Sequence, residues 1–449
     1  MSDSPLEGHK LYYDVTQLVH WSGRITGIPR VMEELAVRYQ RNYPEAVFIS
    51  WVKEIREFCE VDLSATLAQR GCGIVYLRSG QSAAPSLGSR SEAAEAVSGQ
   101  TRQLVLRQAA VRVAKGGLRR AARISPRVAR KVEARLQEQY LRQHKRAELE
   151  NGDQLFIPWG EWWDPNFITK LEQLHNHGVR LVQVLHDMSP VVVPQFSNSG
   201  NATETFPIYC RRILPICDLV LSVSENSRKD AIRWLKDNNL PVPPIEVFRL
   251  GDDIEVAESM EPDTSHIKGG LKGNFLLMVG TIEIKKNHQL LYYVYKLAKS
   301  RGIDLPPLVI AGRYGWMTEP TVELMMKDPE VKDKIVFMIS PSDEELSWLY
   351  DHCLFTVLPS LYEGWGIPIA ESVARGVPCL CSNTSSMTEI AEGFVAHFNP
   401  NSTDECLVGI QNWLNPKELT AARQKVGKYK QYSWDDSFAQ VDKYVKEIV

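Results

Sequence analysis

Short, continuously apolar segments alternate with helix-spaced stretches along both halves of this chain. In the first half Lys10-Leu-Tyr-Tyr-Asp-Val15, Gln154-Leu-Phe-Ile-Pro158, Val179-Arg-Leu-Val-Gln-Val-Leu185 and Asp218-Leu-Val-Leu-Ser-Val223 predict strands. In the second half Asn274-Phe-Leu-Leu-Met-Val279, Pro307-Leu-Val-Ile-Ala311, Lys334-Ile-Val-Phe-Met338 and Cys353-Leu-Phe-Thr-Val-Leu358 do the same. Strands without a polar face are buried on both sides, so helices must cover each face of mainly parallel sheets. The pattern lapses between Asp252 and Gly273, an acidic and then glycine-rich stretch that reads as an interdomain linker. From Tyr432 onward the spacing returns to that of an amphipathic helix.

Length agrees with that division: 449 residues make two or three domains at roughly 100–200 residues each. A formal net charge of −3 gives no overall attraction to nucleic acid. The apolar runs fall far short of the roughly 20 residues that span a bilayer, and Met1 to Gly8 lacks the basic start and apolar stretch of a signal peptide. The eight cysteines have no metal-ligand spacing. Together these predict a cytoplasmic protein with reduced structural cysteines, in which the sequon Asn201-Ala-Thr203 has no meaning.

One stretch departs from the alternation. Ser79 to Gln100 is rich in Ser, Ala and Gly and reads as a loose loop. It leads into Arg102–Arg146, where Lys or Arg recurs at roughly every third residue among apolar positions at near-helical spacing. Such a helix can lie on an anionic membrane, the inner face of the plasma membrane here, each near-surface cation adding about 1 kcal/mol. The other reading is a solvated surface helix whose arginines cover the protein body. Stacking on nucleic-acid bases is disfavoured, because no aromatic residue interleaves the charges before Tyr140.

The chemistry concentrates in Pro359-Ser-Leu-Tyr-Glu-Gly-Trp-Gly-Ile-Pro-Ile-Ala-Glu-Ser-Val-Ala-Arg-Gly376. A strand runs into a loop, and Pro368 suits the first turn of a helix. Gly364, Gly366 and Ile367 would bring backbone N–H groups to an anion at that helix N-terminus. Glu363 and Glu371 would repel phosphate, so they are expected to face hydroxyls, as a sugar and a ribose provide. The segment resembles the Glu-x7-Glu motif of the retaining GT-B glycosyltransferases known as glycosyltransferase family four. The resemblance implies that Glu363 touches the donor sugar near its reacting carbon and that Glu371 binds the ribose.

A second element, Phe275-Leu-Leu-Met-Val-Gly-Thr-Ile-Glu-Ile-Lys-Lys-Asn-His288, resembles that family's donor-binding turn, with Lys285 and Lys286 as the basic pair on the diphosphate. Two cations at a strand's end suit a leaving group whose charge grows in the transition state. Gly280 and Thr281 begin the turn; many members carry arginine where Thr281 stands, which gives more to the lysines or to Arg313. Ile310 to Trp316 resembles the loop beside the diphosphate and sugar. Met338-Ile-Ser-Pro341 resembles the base-reading turn, although its usual glycine is missing near Ser340.

In the first half, Val184-Leu-His-Asp-Met-Ser-Pro190 sets His186 and Asp187 at a strand's C-terminal end, where open α/β sheets bind ligands, and resembles the family's sugar-facing His-Asp element. Trp21-Ser-Gly-Arg-Ile-Thr-Gly-Ile-Pro-Arg-Val31 resembles its glycine-rich acceptor-side loop, with Gly23 and Gly27 for close approach and Arg24 or Arg30 for an acceptor phosphate. Trp162, in Pro158-Trp-Gly-Glu-Trp-Trp-Asp164, is either a stacking face for sugar or part of a core edge. Ser222 to Asp230 looks like the family's strand-to-helix turn near the cleft.

The resemblance covers nearly the whole chain except about residues 50–150. It implies two Rossmann-like doubly wound domains, 1–255 on the acceptor side and 270–430 on the nucleotide-sugar side, with 431–449 returning to the first. Glu363, His186 and Asp187 are then the catalytic candidates, with no metal and no cofactor beyond a nucleotide-diphosphate sugar. The wording of the motifs is most like transferases of mannose-type sugars in bacterial surface polysaccharides, which implies GDP-linked mannose or rhamnose and a glycan or lipid-linked glycan acceptor. Two alternatives stand beside this. One is another GT-B activity, an inverting transferase with Asp187 or Glu161 as general base, a sugar epimerase or a phosphorylase; the other is an inactive GT-B module that binds glycan or scaffolds an assembly complex.

Overall fold

The computed structural model describes residues 9–20, 27–68, 144–197, 202–253 and 274–448. Gly23, Arg24, the Ser79–Gln100 loop, residues 102–143 of the basic stretch and 254–273 of the linker lie outside them.

Every strand expected from the apolar runs forms. The first sheet contains β1 (Leu11–Asp14), β2 (Val47–Val52), β3 (Glu57–Glu60), β4 (Gln154–Ile157), β5 (Arg180–Leu185), β6 (Leu219–Ser222) and β7 (Ile245–Val247). Their order is β3-β2-β1-β4-β5-β6-β7, parallel throughout except for the β2–β3 pair. The second sheet contains β8 (Leu276–Val279), β9 (Leu308–Gly312), β10 (Ile335–Ile339), β11 (Phe355–Leu358), β12 (Cys379–Ser382) and β13 (Ala396–Phe398). It is all parallel, in the order β10-β9-β8-β11-β12-β13. β2 is as apolar as the strands anticipated and was legible from its residues. β3, with a glutamate at each end, and the short β7, β12 and β13 have weak strand signals.

Alternation along the buried strands builds a separate core on each face. Tyr13 and Phe156 stack at 5.0 Å within one cluster, while their neighbours Tyr12, Leu155 and Ile157 join the opposite one. In the second sheet Leu276 and Met278 face one core and Phe275, Leu277 and Val279 the other. Trp434, Phe438, Val441 and Val445, on the final helix Trp434–Glu447, belong to a core of the first sheet, so the chain returns there after the second sheet. Each such burial is worth about 1.5–3 kcal/mol. Gly251 accommodates the returning helix: a Cβ there would meet the Trp434 ring at 2.6 Å.

The described cysteines are all free and buried. Among the described residues no helix is long and apolar enough to cross a membrane.

In both sheets the strand order reverses once, between β1 and β4 and between β8 and β11. Ligands of doubly wound sheets sit beyond the strand C-termini at such reversals. The segments that follow those four strands carry most of the residues singled out from sequence.

Candidate active site

Beyond β8 the chain must turn sharply under the neighbouring strand. Gly280 has a φ of 145°, and a Cβ on Gly312 at the end of β9 would lie 1.9 Å from the Gly280 carbonyl oxygen. The chain then forms a short 3-10 turn, Ile284–Lys286, and Asn287 takes a left-handed backbone before the helix His288–Ser300. The loop after β11 is pinned to this turn, because the Leu361 N–H donates to the Lys285 carbonyl at 2.8 Å. That bond brings the two C-terminal motifs together: Lys286 Nζ lies 2.5 Å from Glu363 Oε1, both side chains buried. Lys285 reaches in two directions, 3.7 Å to Asp187 across the cleft and 3.6 Å to Glu283 beside it.

Burial pushes the Glu363 carboxyl up, but Lys286 and Lys285 outweigh it and hold the group below its ordinary range. Burial acts likewise on Asp187, against Lys285 and two bonds from Ser189, with the same net depression. Both acids are therefore ionised at neutral pH. Lys285 is held firmly protonated by Asp187, Glu283 and Glu363 in spite of burial. Glu283, the most buried partner, is raised by desolvation. The result is a row of alternating charge in a low-dielectric cleft, where an opposite charge at 4 Å is worth about 4 kcal/mol rather than about 1 in water.

His186 is buried and neutral. Its Nε2 lies 2.7 Å from the Pro158 carbonyl, which assigns the proton to that nitrogen and leaves Nδ1 as the acceptor. Burial lowers its pKa to about 4 against that bond. Gly364 presses on the same strand end, where a Cβ would lie 2.0 Å from the His186 carbonyl oxygen. Its lack of a side chain serves close contact between the halves. Gly366 has a φ of 115° and opens the helix Ile367–Ala374 without a side-chain cap; Pro368 has no N–H and the Ile369 N–H donates to the Gly366 carbonyl, so the Ile367 N–H is the one this helix start offers an anion.

Glu371 lies on that helix. Its Oε1 is 3.1 Å from Arg30 Nη1, and its Oε2 accepts from the Tyr350 hydroxyl at 3.1 Å. Arg30 also donates to the Asp253 carbonyl and lies over the Trp434 ring. Gly27, with a φ of 63°, precedes the helix Ile28–Asn42 that carries Arg30. Thr281 is half-buried beside Gly315, and Arg313 is exposed at the end of β9. Ser340 adopts a φ of 53°, so the left-handed backbone persists at the turn without its glycine.

A cavity of about 320 Å³ opens in front of His186 and Asp187. Trp159, Trp162, Phe196, Phe206 and Trp316 give it aromatic walls, and Lys285 lines one side. Trp162 packs edge-on against Trp163 and Phe206, and Trp316 closes the rim by donating to the Phe196 carbonyl at 2.9 Å. Glu161 is turned to Gln17 and is not among the lining residues. Burial raises the Glu161 pKa to about 7 and that of Asp14 to about 6. Among the described residues no group of three or more His, Cys, Asp or Glu is arranged to hold a metal ion.

Trp159 and Trp316 lie in segments already singled out, 158–164 and 310–316, though neither was picked as an individual residue, and Tyr350 carried no signal. Thr384, Ser385 and Ser386 follow β12, whose strand signal was itself weak; three hydroxyls in a row at a strand's C-terminal end were the available hint.

Residues 263–431 match the family model described as Glycosyl transferases group 1. The fold is GT-B, and its second half is a glycosyltransferase domain. The chain is 25% identical over 266 residues to the serotype-specific mannosyltransferase WbdA of Escherichia coli, covering 57% of this chain and 32% of WbdA. It is 29% identical over 271 residues to O-antigen chain mannosyltransferase B of the same species, covering 58% and 68%. The chain thus spans about a third of WbdA's length. The structure of Alr3699/HepE from Anabaena, solved with UDP and glucose, superposes with a TM-score of 0.59 at 15% identity, over 97% of this chain and 99% of that one. A glycosyltransferase from Rickettsia africae superposes at 0.53 and 14% identity, over 98% of each chain.

Proposed function

We propose that this chain transfers a mannose-type sugar, mannose or rhamnose, from a GDP-linked donor to a growing, lipid-linked bacterial surface polysaccharide. Transfer proceeds with retention and without a metal. The observation that carries the reading is the Lys286–Glu363 pair at the strand-order reversal of the second sheet, with Lys285 and an uncapped helix start beside it. Lys285, Lys286 and the Ile367 N–H at the helix start would take the diphosphate, replacing the carboxylates that now pair with the lysines. That frees Glu363 to accept from donor-sugar hydroxyls, and Glu371 to leave Arg30 for the ribose. Bonds made to the departing oxygens strengthen as its charge develops, and this lowers the barrier.

His186, neutral and fixed by Pro158, offers an acceptor to a ring hydroxyl and no competing charge. In the same-face route the departing phosphate oxygen takes the acceptor proton, so no protein base is required. Asp187 is poorly suited to be such a base, since it is held ionised below its ordinary range by Lys285 and Ser189. The aromatic cavity supplies faces on which a glycan acceptor can stack, with its lipid portion left outside. The likeness to the mannosyltransferase WbdA and to O-antigen chain mannosyltransferase B supports mannose and a polysaccharide product.

Turnover with a panel of GDP-, UDP- and dTDP-sugars, in the wild type and Glu363→Ala, tests this. One donor should be transferred or slowly hydrolysed, and the variant should lose that while still binding nucleotide. Absence of nucleotide binding throughout would favour a glycan-binding scaffold.

A further inference from the structure

We propose that Glu389, with the hydroxyl run Thr384–Ser386, is a positioning device that couples contact between the two halves to the placement of Glu363. The inference deepens the transferase reading by naming what holds its central carboxylate.

The helix Glu225–Asp237 follows β6 of the first sheet. Its opening N–H groups are taken by a carboxylate from the other half, with Glu225 N–H and Asn226 N–H donating to Glu389 Oε2 and Oε1 at 2.8 and 2.7 Å. Charge-assisted bonds to a helix N-terminus, where the dipole adds to them, are among the stronger polar contacts available. The Glu225 side chain is turned away to Arg228 and Lys229, so it does not compete for this position.

Glu389 ends the short turn Ser385–Thr388, and the residues of that turn grip the Glu363 loop by its backbone. Ser385 Oγ accepts from the Glu363 N–H at 2.9 Å. Ser386 Oγ donates to the carbonyls of Glu363 and Trp365 at 2.9 and 2.7 Å. Thr384 Oγ1 donates to Leu361 O at 3.3 Å. Ser385 holds a left-handed backbone, φ 48°, which a residue with a side chain keeps only when its surroundings enforce it.

The same helix meets the loop directly at two further points. The Tyr362 hydroxyl donates to Asp230 Oδ2 at 2.7 Å, and Ser227 Oγ faces the carbonyls of Gly364 and His186 at 3.4 and 3.5 Å. One helix start in the first half therefore locates Tyr362, Gly364 and, through Glu389 and the serines, both backbone faces of Glu363. Glu389 does not touch substrate; it acts through the loop. Reacting groups tolerate little displacement, and a shift of about 1 Å can cost about 100-fold in rate.

Amide hydrogen exchange on the full-length protein tests the coupling without relying on turnover. In Glu389→Ala, exchange should quicken at least tenfold at Glu225 and Asn226 and, in the same variant, at Glu363, while the strands of both sheets keep wild-type protection. With GDP-mannose as donor, kcat should fall at least tenfold and the donor Kd change less than twofold. Glu389→Gln, which keeps one acceptor but sets an amide against the second N–H, should fall between the two. Faster exchange at Glu225 and Asn226 with Glu363 unchanged would overturn the proposal. A uniform rise across both sheets, in the Gln variant as in the Ala variant, would also overturn it and reduce Glu389 to a stability residue. A wild type inactive with every donor would refute the transferase reading and leave the exchange result to stand by itself.

Discussion

The two walls of the cleft share a topology and differ in charge state. Each is the reversal point of a doubly wound sheet, but beyond β8 and β11 the buried groups are paired, Lys286 with Glu363 and Lys285 with Glu283 beside it and with Asp187 across the cleft, and Glu363 is held below its ordinary range while Glu283 is raised by burial. Beyond β1 and β4 burial instead raises the carboxyls Asp14 and Glu161 to about 6 and about 7, beside the tryptophans of the cavity. Cations decide the difference, since a buried acid stays charged only where a partner offsets its desolvation. An alternating ionic row can exchange its carboxylates for a diphosphate. An aromatic wall, charged only where Asp187 meets Lys285, suits an uncharged glycan.

The comparison can be broken most sharply at Glu363. Glu363→Gln removes the charge but keeps the shape, and steady-state turnover should fall by about 10²–10³-fold with nucleotide affinity held, the scale for losing one transition-state contact. Lys286→Met leaves Glu363 buried without its partner, so denaturant unfolding should show a loss of about 3 kcal/mol. Combining Lys286→Met with Glu363→Gln should recover most of that stability and none of the activity; a strictly additive double variant would show that the pair is not coupled.

On the other wall the reporter is pH. Folded Glu161 keeps its proton up to about pH 7, whereas the unfolded chain releases it near 4.5. Its contribution to stability is therefore fully present below pH 4.5 and lost as pH rises through about 7. The wild-type stability minus that of Glu161→Gln should decline across this window, by an amount on the order of 1–3 kcal/mol. His186, depressed to about 4 by burial, acts with the opposite sign, its contribution being lost as pH falls, but it is common to both proteins and cancels. A flat difference curve would show that Glu161 is ionised like the opposite wall. The smallest effect is expected at Trp162. Trp162→Ala should raise the acceptor KM by about fivefold, the worth of a stacking face at roughly 1 kcal/mol, and leave donor binding unchanged.

The same contrast explains what was legible from sequence. Lys285, Lys286, Glu363 and Glu371 lie in two contiguous motifs, each a strand end followed by a helix start, so spacing alone nearly fixes their geometry. The central strands announced both sheets through their largely apolar runs, and the final helix showed through the spacing of Trp434, Phe438, Val441 and Val445, while its return to the first sheet was implied by the family resemblance alone. The aromatic cavity is assembled from distant segments: Trp159, Phe196 and Phe206 of the first half and Trp316 of the second have no common motif. Gly364 was legible as a special glycine, but its neighbour, the His186 carbonyl, is a tertiary fact. Arg30 was singled out for an acceptor phosphate, and here it pairs with Glu371 on the other wall, 341 residues along the chain. Glu389 gave no signal, because its partners are backbone N–H groups, which any sequence supplies.

The division of labour between the walls is tested most directly by calorimetric titration of GDP-mannose into three proteins: the wild type, the Lys286→Met/Glu363→Gln double variant and Trp162→Ala. Donor binding should vanish in the double variant and stay within twofold of wild type in Trp162→Ala. Retained binding in the double variant, with loss in Trp162→Ala, would place the donor on the aromatic wall and contradict the account.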